Sequence, residues 1–171
     1  PGGYGDDFIE LANLGTADVD VSGWQVWRCG DNAQTYVQSA GLPAGTVLAP
    51  GDVFTLVRSG TGSTVPAAAR DLTYGTSVHW INSGAMLLTP DLRIADRFSV
   101  YRDRMSPCTD GEALPMALDV VAGESYQRVA TGGTSASDFV PGLRTPGTVP
   151  AADAIVPVDR GVSPYRGTVE V

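Results

Sequence analysis

The chain has 171 residues, 43% of them hydrophobic and 18% charged, which is enough apolar material for one core and too little length for two ordinary domains. Its formal net charge is -8 and all 11 basic residues are arginine, so it lacks the clustered positive charge of a nucleic-acid footprint. The absence of lysine also excludes the phosphate-cradling GxxxxGK[ST] loop and Schiff-base catalysis.

Glycine (21) and proline (12) are spread along the chain between short runs of Val, Thr, Leu and aromatics, a punctuation that predicts strands and turns rather than helices. A strand is expected over residues 8–12, then a turn at 13–15, a short Val19, Val21 alternation, and a strand over 24–29. Residues 35–38 read as a partner strand, and 42–49 lead into a Pro50-Gly51 turn, where glycine tolerates the positive φ of a type II turn. An apolar run at 53–57 is of strand length, and 67–71 reads as loop or a single turn. The segments 86–89 and 94–99 predict a hairpin across Pro90 to Arg93. Beyond an irregular stretch holding Cys108, a short strand is expected at 126–129, a polar loop at 131–137, and a return to the core at Phe139 and Val140. Pro141, Pro146 and Pro150 predict an extended connector unable to form a regular ladder, which places the domain within 1–150 and a linker over 151–171. Within that tail, Tyr165, Gly167, Val169 and Val171 alternate with Arg166, Thr168 and Glu170, as in a half-buried strand.

Cys29 and Cys108 lie far apart, without CxxC spacing and with only one histidine in the chain. That points to a disulfide rather than a zinc site, with two buried free thiols as the alternative. The chain begins at Pro1, holds no signal-peptide core and no apolar stretch long enough to span a bilayer, and reads as a processed or excised fragment.

The catalytic inventory is sparse. His79 sits between Val78 and Trp80 with no GxSxG elbow to supply a serine, so its expected role is packing. Asp18 with Asp20, or Asp110 with Glu112, could contribute carboxylates to calcium, but no EF-hand spacing exists, and neither metal nor cofactor is expected. Strand alternation sets Trp24 and Val26 on one face and Trp27 on the other. If Trp24 is buried, Trp27 with Arg28 and Trp80 becomes the candidate contact surface, for protein or for carbohydrate.

The runs DDFIELAN (6–13), VDVSGWQV (19–26), LPAGTVLAPGDVFTLV (42–57), GAMLLTPDLRIADRFSVY (84–101), ESYQRV (124–129) and DFVPGLRTPGTVP (138–150) resemble the lamin tail domain family, bacterial secreted type. The resemblance implies an all-β, immunoglobulin-like antiparallel sandwich with an extended C-terminal tail. It also implies a non-catalytic, secreted or cell-surface module, with 42–57 as a hairpin. Family members carry a further strand before the position of Asp6, where this sequence has only Pro1 to Gly5. An edge so exposed must be covered or will recruit a strand, and Tyr165, Gly167, Val169 and Val171 are the candidate donor, in their own domain or a neighbouring copy, the alternative being that the preceding strand lies outside this sequence and the tail is an interdomain linker. The alternative function is an accessory polysaccharide- or cell-surface-binding module beside a secreted hydrolase or nuclease. Partners are therefore expected to be protein, a second copy or carbohydrate, without nucleic acid or membrane insertion.

Overall fold

The computed structural model describes residues 7–29, 36–59, 63–75, 83–100, 108–109, 111–114 and 123–149. His79, Trp80, Asp110 and the strand expected at Tyr165, Gly167, Val169 and Val171 lie outside these residues.

The strands follow from short β-branched and aromatic runs that glycine and proline keep from growing. In chain order they are β1 (Phe8–Ala12), β2 (Val19–Asp20), β3 (Gln25–Cys29), β4 (Tyr36–Gly41), β5 (Val47–Leu48), β6 (Val53–Arg58), β7 (Leu72–Tyr74), β8 (Ser83–Leu88), β9 (Ile94–Val100), β10 (Glu124–Arg128) and β11 (Phe139–Leu143). A one-turn 3-10 helix spans Ala67–Ala69, and a single helical turn, α1, spans Ser135–Asp138.

Two sheets carry the sandwich, one in the order β1-β6-β7 and the other β4-β3-β8-β9. Their facing sides meet in one cluster in which Leu56, Val26, Tyr74, Val21, Leu42 and Leu48 are buried, with Ile9, Leu11, Trp24 and Leu87 packed around them. Removal of this apolar surface from water is the main driving force for the fold. The architecture is thus the expected all-β, immunoglobulin-like sandwich.

Three local expectations are corrected. The run 42–57 is not a hairpin, because β5 pairs with β2 while β6 crosses to β1, and the Pro50-Gly51 turn between them carries Gly51 at φ 85°. Residues 131–137 are not wholly loop, since the Thr134 hydroxyl and the Ser137 side chain form a reciprocal capping box that supports α1. The third concerns Pro141, which sits inside a ladder opposite Tyr126. Val129 N–H bonds to Asp138 O and Arg144 N–H to Gly123 O, so the alternation leaves Tyr126–Pro141 as a non-hydrogen-bonded pair. The missing N–H is not needed there, which is why this proline is tolerated.

β7 was not expected. It runs parallel to β6, so residues 59–71 form a crossover, and Asp71 locks the return by accepting Thr55 N–H at 2.7 Å while donating its own N–H to Thr55 O at 3.0 Å. Asn13 performs a similar bracing role, with its amide donating to Ala17 O and Leu48 O, both at 2.8 Å.

The face of β3 and β8 turned away from the sandwich carries Cys29, Met86 and Leu88, and a disulfide joins Cys29 to Cys108 with Cα atoms 6.2 Å apart. Gly84 makes that approach feasible, since a Cβ there would stand 2.9 Å from Cys108 Cβ and collide with Phe98 O. On the sandwich side of β9, Phe98 stacks against Tyr126 and Phe139 of the β10–β11 hairpin, with ring centroids 5.1 and 4.8 Å away.

Candidate functional site

Strand β1 is a sheet edge whose register shows which backbone groups it presents. Asn13 N–H donates to Asp52 O and Arg58 N–H to Asp7 O, so odd-numbered residues exchange bonds with β6. By alternation the N–H and C=O groups of Phe8, Glu10 and Ala12 point away from β6. Among the described residues no strand pairs with that outer edge. A row of such groups is a template for another strand.

The side chains of β1 divide in the same rhythm. Ile9 and Leu11 face the sandwich core, whereas Glu10 lies on the opposite face beside its cross-strand neighbour Thr55, whose hydroxyl donates to Glu10 Oε1 at 3.2 Å. The same carboxylate oxygen accepts Gly147 N–H at 2.5 Å. This contact brings the turn closed by Thr148 N–H to Thr145 O back onto β1, next to Ala69. Sequence patterning carries no signal for it, because residues 10 and 147 are adjacent only through the whole fold.

Burial pushes the Glu10 carboxyl up from its ordinary 4.5, and the Gly147 and Thr55 bonds oppose that rise. A raised folded-state value means the folded chain holds its proton longer than the unfolded one. The group therefore favours folding most below 4.5, and that contribution is lost as pH rises through the folded value. Glu10→Gln, which cannot ionise, should gain on the wild type as pH increases above 4.5, read as the difference in urea midpoints at pH 4 and pH 7. A difference independent of pH would remove this account. At the N-terminal end of β1, burial and then Asp7 push the Tyr74 hydroxyl up, so the phenol stays protonated.

The other candidate residues disperse. Trp24 packs half-buried against the core and Trp27 lies on the opposite face, as alternation requires, but Trp27 is half-buried against the disulfide cluster and its indole donates to Gln25 Oε1 at 2.9 Å. Arg28, half-buried, follows on the sandwich side of β3, so Trp27 and Arg28 do not share one surface. Asp20 Oδ1 accepts Ser22 N–H at 2.9 Å, and the Ser22 hydroxyl and N–H together hold its carboxyl below the ordinary range. Among the described residues no three His, Cys, Asp or Glu side chains are grouped to hold a metal ion.

One charged node went unread in the sequence. Arg128 reaches both carboxylate oxygens of Asp96 at 2.6 and 2.7 Å, approaches Asp138 Oδ2 at 3.4 Å and lies 4.3 Å over the Phe139 ring. Asp138 is further satisfied by Gly133 N–H and the Ser137 hydroxyl. These groups line a groove of about 470 Å3, but their charges are spent on one another, and the node fastens the β10–β11 hairpin to β9.

Among known proteins, the sequence profile of the Lamin Tail Domain matches residues 1–102, which run from before β1 through β9. The segments 124–129 and 138–150, read above as the closing stretch of that family, fall outside the match. No curated protein matches the chain. The strands that build both sheets of the sandwich lie within the matched residues, more than half of the sequence, and the chain belongs to the lamin tail domain family.

Proposed function

We propose that this chain is a non-catalytic, extracellular interaction module of the bacterial secreted type, structural or adhesive in use, which engages its partner by strand addition at β1. Lamin tail domains are immunoglobulin-like and generally non-catalytic, and domains of this kind commonly mediate protein interactions. The observation that carries the reading is the outward row of backbone groups at Phe8, Glu10 and Ala12 on a strand that no described neighbour pairs. The donor is the alternating tail segment of Tyr165, Gly167, Val169 and Val171, or a strand of the same pattern from a protein partner. A disulfide persists in oxidising compartments, and no helix of the described residues is long and apolar enough to cross a membrane, which fits an extracellular setting.

A polysaccharide-binding role beside a secreted hydrolase or nuclease is the second reading, with Trp27 and Trp80 as stacking residues. It has less support, because Trp27 is half-buried against the disulfide cluster and its indole N–H is already taken by Gln25 Oε1.

A peptide of residues 163–171, titrated onto the chain shortened to 1–164, tests the first reading. Saturable binding is expected, and Ala12→Pro should abolish it, because that N–H faces the added strand and is not used by β6. No binding at peptide concentrations up to about 1 mM would remove strand addition as the mode of action.

A further inference from the structure

We infer that the strand taken at β1 carries an arginine or lysine between two apolar residues, set opposite Glu10, and that the same carboxylate turns away a second copy of β1; this rests on the strand-addition reading above.

The β1 edge is bare where other edges are closed. On β9 the outward N–H of Arg97 donates to Asp96 Oδ1 at 2.8 Å and that of Ser99 to Ser135 Oγ at 3.0 Å, while Ser99 O accepts Leu114 N–H at 3.0 Å. On β11 an outward position is filled by Pro141, which has no N–H to offer. Side chains, loops and proline laid on an edge are the usual means of refusing another strand. Among the described residues, no such group covers the outward N–H and C=O of Phe8, Glu10 or Ala12.

The side chains of β1 then specify what fits. In an antiparallel pair the residue directly opposite Glu10 shares its face, and the residues on either side of it fall opposite Ile9 and Leu11. Those two are half-buried at the rim of the core, so apolar neighbours extend it. The central position meets a carboxylate. Thr55 and Gly147 both bond Glu10 through Oε1, and among the described residues nothing bonds Oε2. A guanidinium or ammonium opposite reaches that oxygen across the roughly 5 Å between such cross-strand neighbours. Burial already disfavours the charge on Glu10, so a cation there relieves a cost and a second carboxylate adds to it.

A second copy of β1 supplies the second carboxylate. The antiparallel register that pairs every outward residue sets Phe8 against Ala12 of the other copy and Glu10 against Glu10, with like charges directly opposite. The fitting occupant is therefore an extended segment of another protein, apolar on one face and basic at its centre.

Three capped peptides of the form Thr-Thr-Val-X-Val-Thr-Thr, with arginine, glutamine or glutamate at X, titrated onto the full chain by NMR, test the inference. The arginine peptide should bind about fivefold more tightly than the glutamine peptide, and the glutamate peptide about fivefold more weakly. Ala12→Pro should abolish binding of all three. Glu10→Gln should bring the three affinities within about twofold of one another while leaving the glutamine peptide bound as before. Equal affinities on the unaltered chain, or a ranking that survives Glu10→Gln, would overturn the charge selection and leave strand addition standing. No binding by any peptide up to about 1 mM, or binding that survives Ala12→Pro, would overturn the inference and strand addition at β1 together.

Discussion

Removing the Cys29–Cys108 bond should lower stability by about 4–5 kcal/mol, the largest loss expected from any conservative change in this chain. The bond closes a loop of sequence separation 79, and the chain-entropy model gives roughly that value for a loop of such length. For a chain of this size the melting temperature should fall by about 10–15 °C. Both cysteines are almost fully buried, at 1% and 0% exposure, so alanine is the better replacement, since serine would add a hydroxyl to an apolar cluster. Either single variant breaks the same bond, and Cys29→Ala, Cys108→Ala and the double variant should lose nearly equal amounts. The wild type under reductant should approach them. Additive single losses together with insensitivity to reductant would mean that the two sulfurs are not joined in solution.

Arg128→Ala should cost about 2–3 kcal/mol, measured from urea midpoints at constant slope. The substitution strips the cation from Asp138, whose side chain is only 6% exposed, and leaves that carboxylate with the Gly133 N–H and the Ser137 hydroxyl alone. It also removes the guanidinium from the face of Phe139. Arg128→Lys should recover only part of the loss, because an ammonium cannot hold Asp96 through two parallel bonds while lying flat on a ring. Asp96 is 54% exposed, so Asp96→Ala should cost less than about 1 kcal/mol despite its shorter contacts. If Asp96→Ala proved as harmful as Asp138→Ala, burial would not be what gives the node its weight.

Much of the fold was legible because strand periodicity is local. Alternation around β3 set Trp24 and Trp27 on opposite faces, and the structure places them so, with Trp24 packed half-buried against the core and Trp27 against the disulfide cluster. The β8–β9 hairpin was legible for the same reason, its two strands flanking a short turn at Pro90 to Arg93. Where strand partners are remote, the reading failed. Residues 42–57 look like a hairpin in sequence, but β5 and β6 each find a better partner upstream, in β2 and β1, because that arrangement buries Leu48 and Leu56 together. β7 escaped notice because three residues are too few to show a period, and only pairing with β6 makes them a strand. Pro141 was read as a ladder breaker, yet its place in the register turns the missing N–H outward.

The sequence by itself determined the all-β class, the strand faces, the absence of lysine chemistry and the resemblance to lamin tail domains, all of which rest on residue type and short-range spacing. The Cys29–Cys108 pairing was also expected from the sequence, but only the tertiary structure decided that Gly84 lets the two approach, that Arg128 fastens the last hairpin to β9, and that Glu10 captures Gly147 beside the β1 edge. Those contacts join residues tens of positions apart, and chain closure over such distances is governed by how the sheets stack rather than by any pattern a short window of sequence can carry.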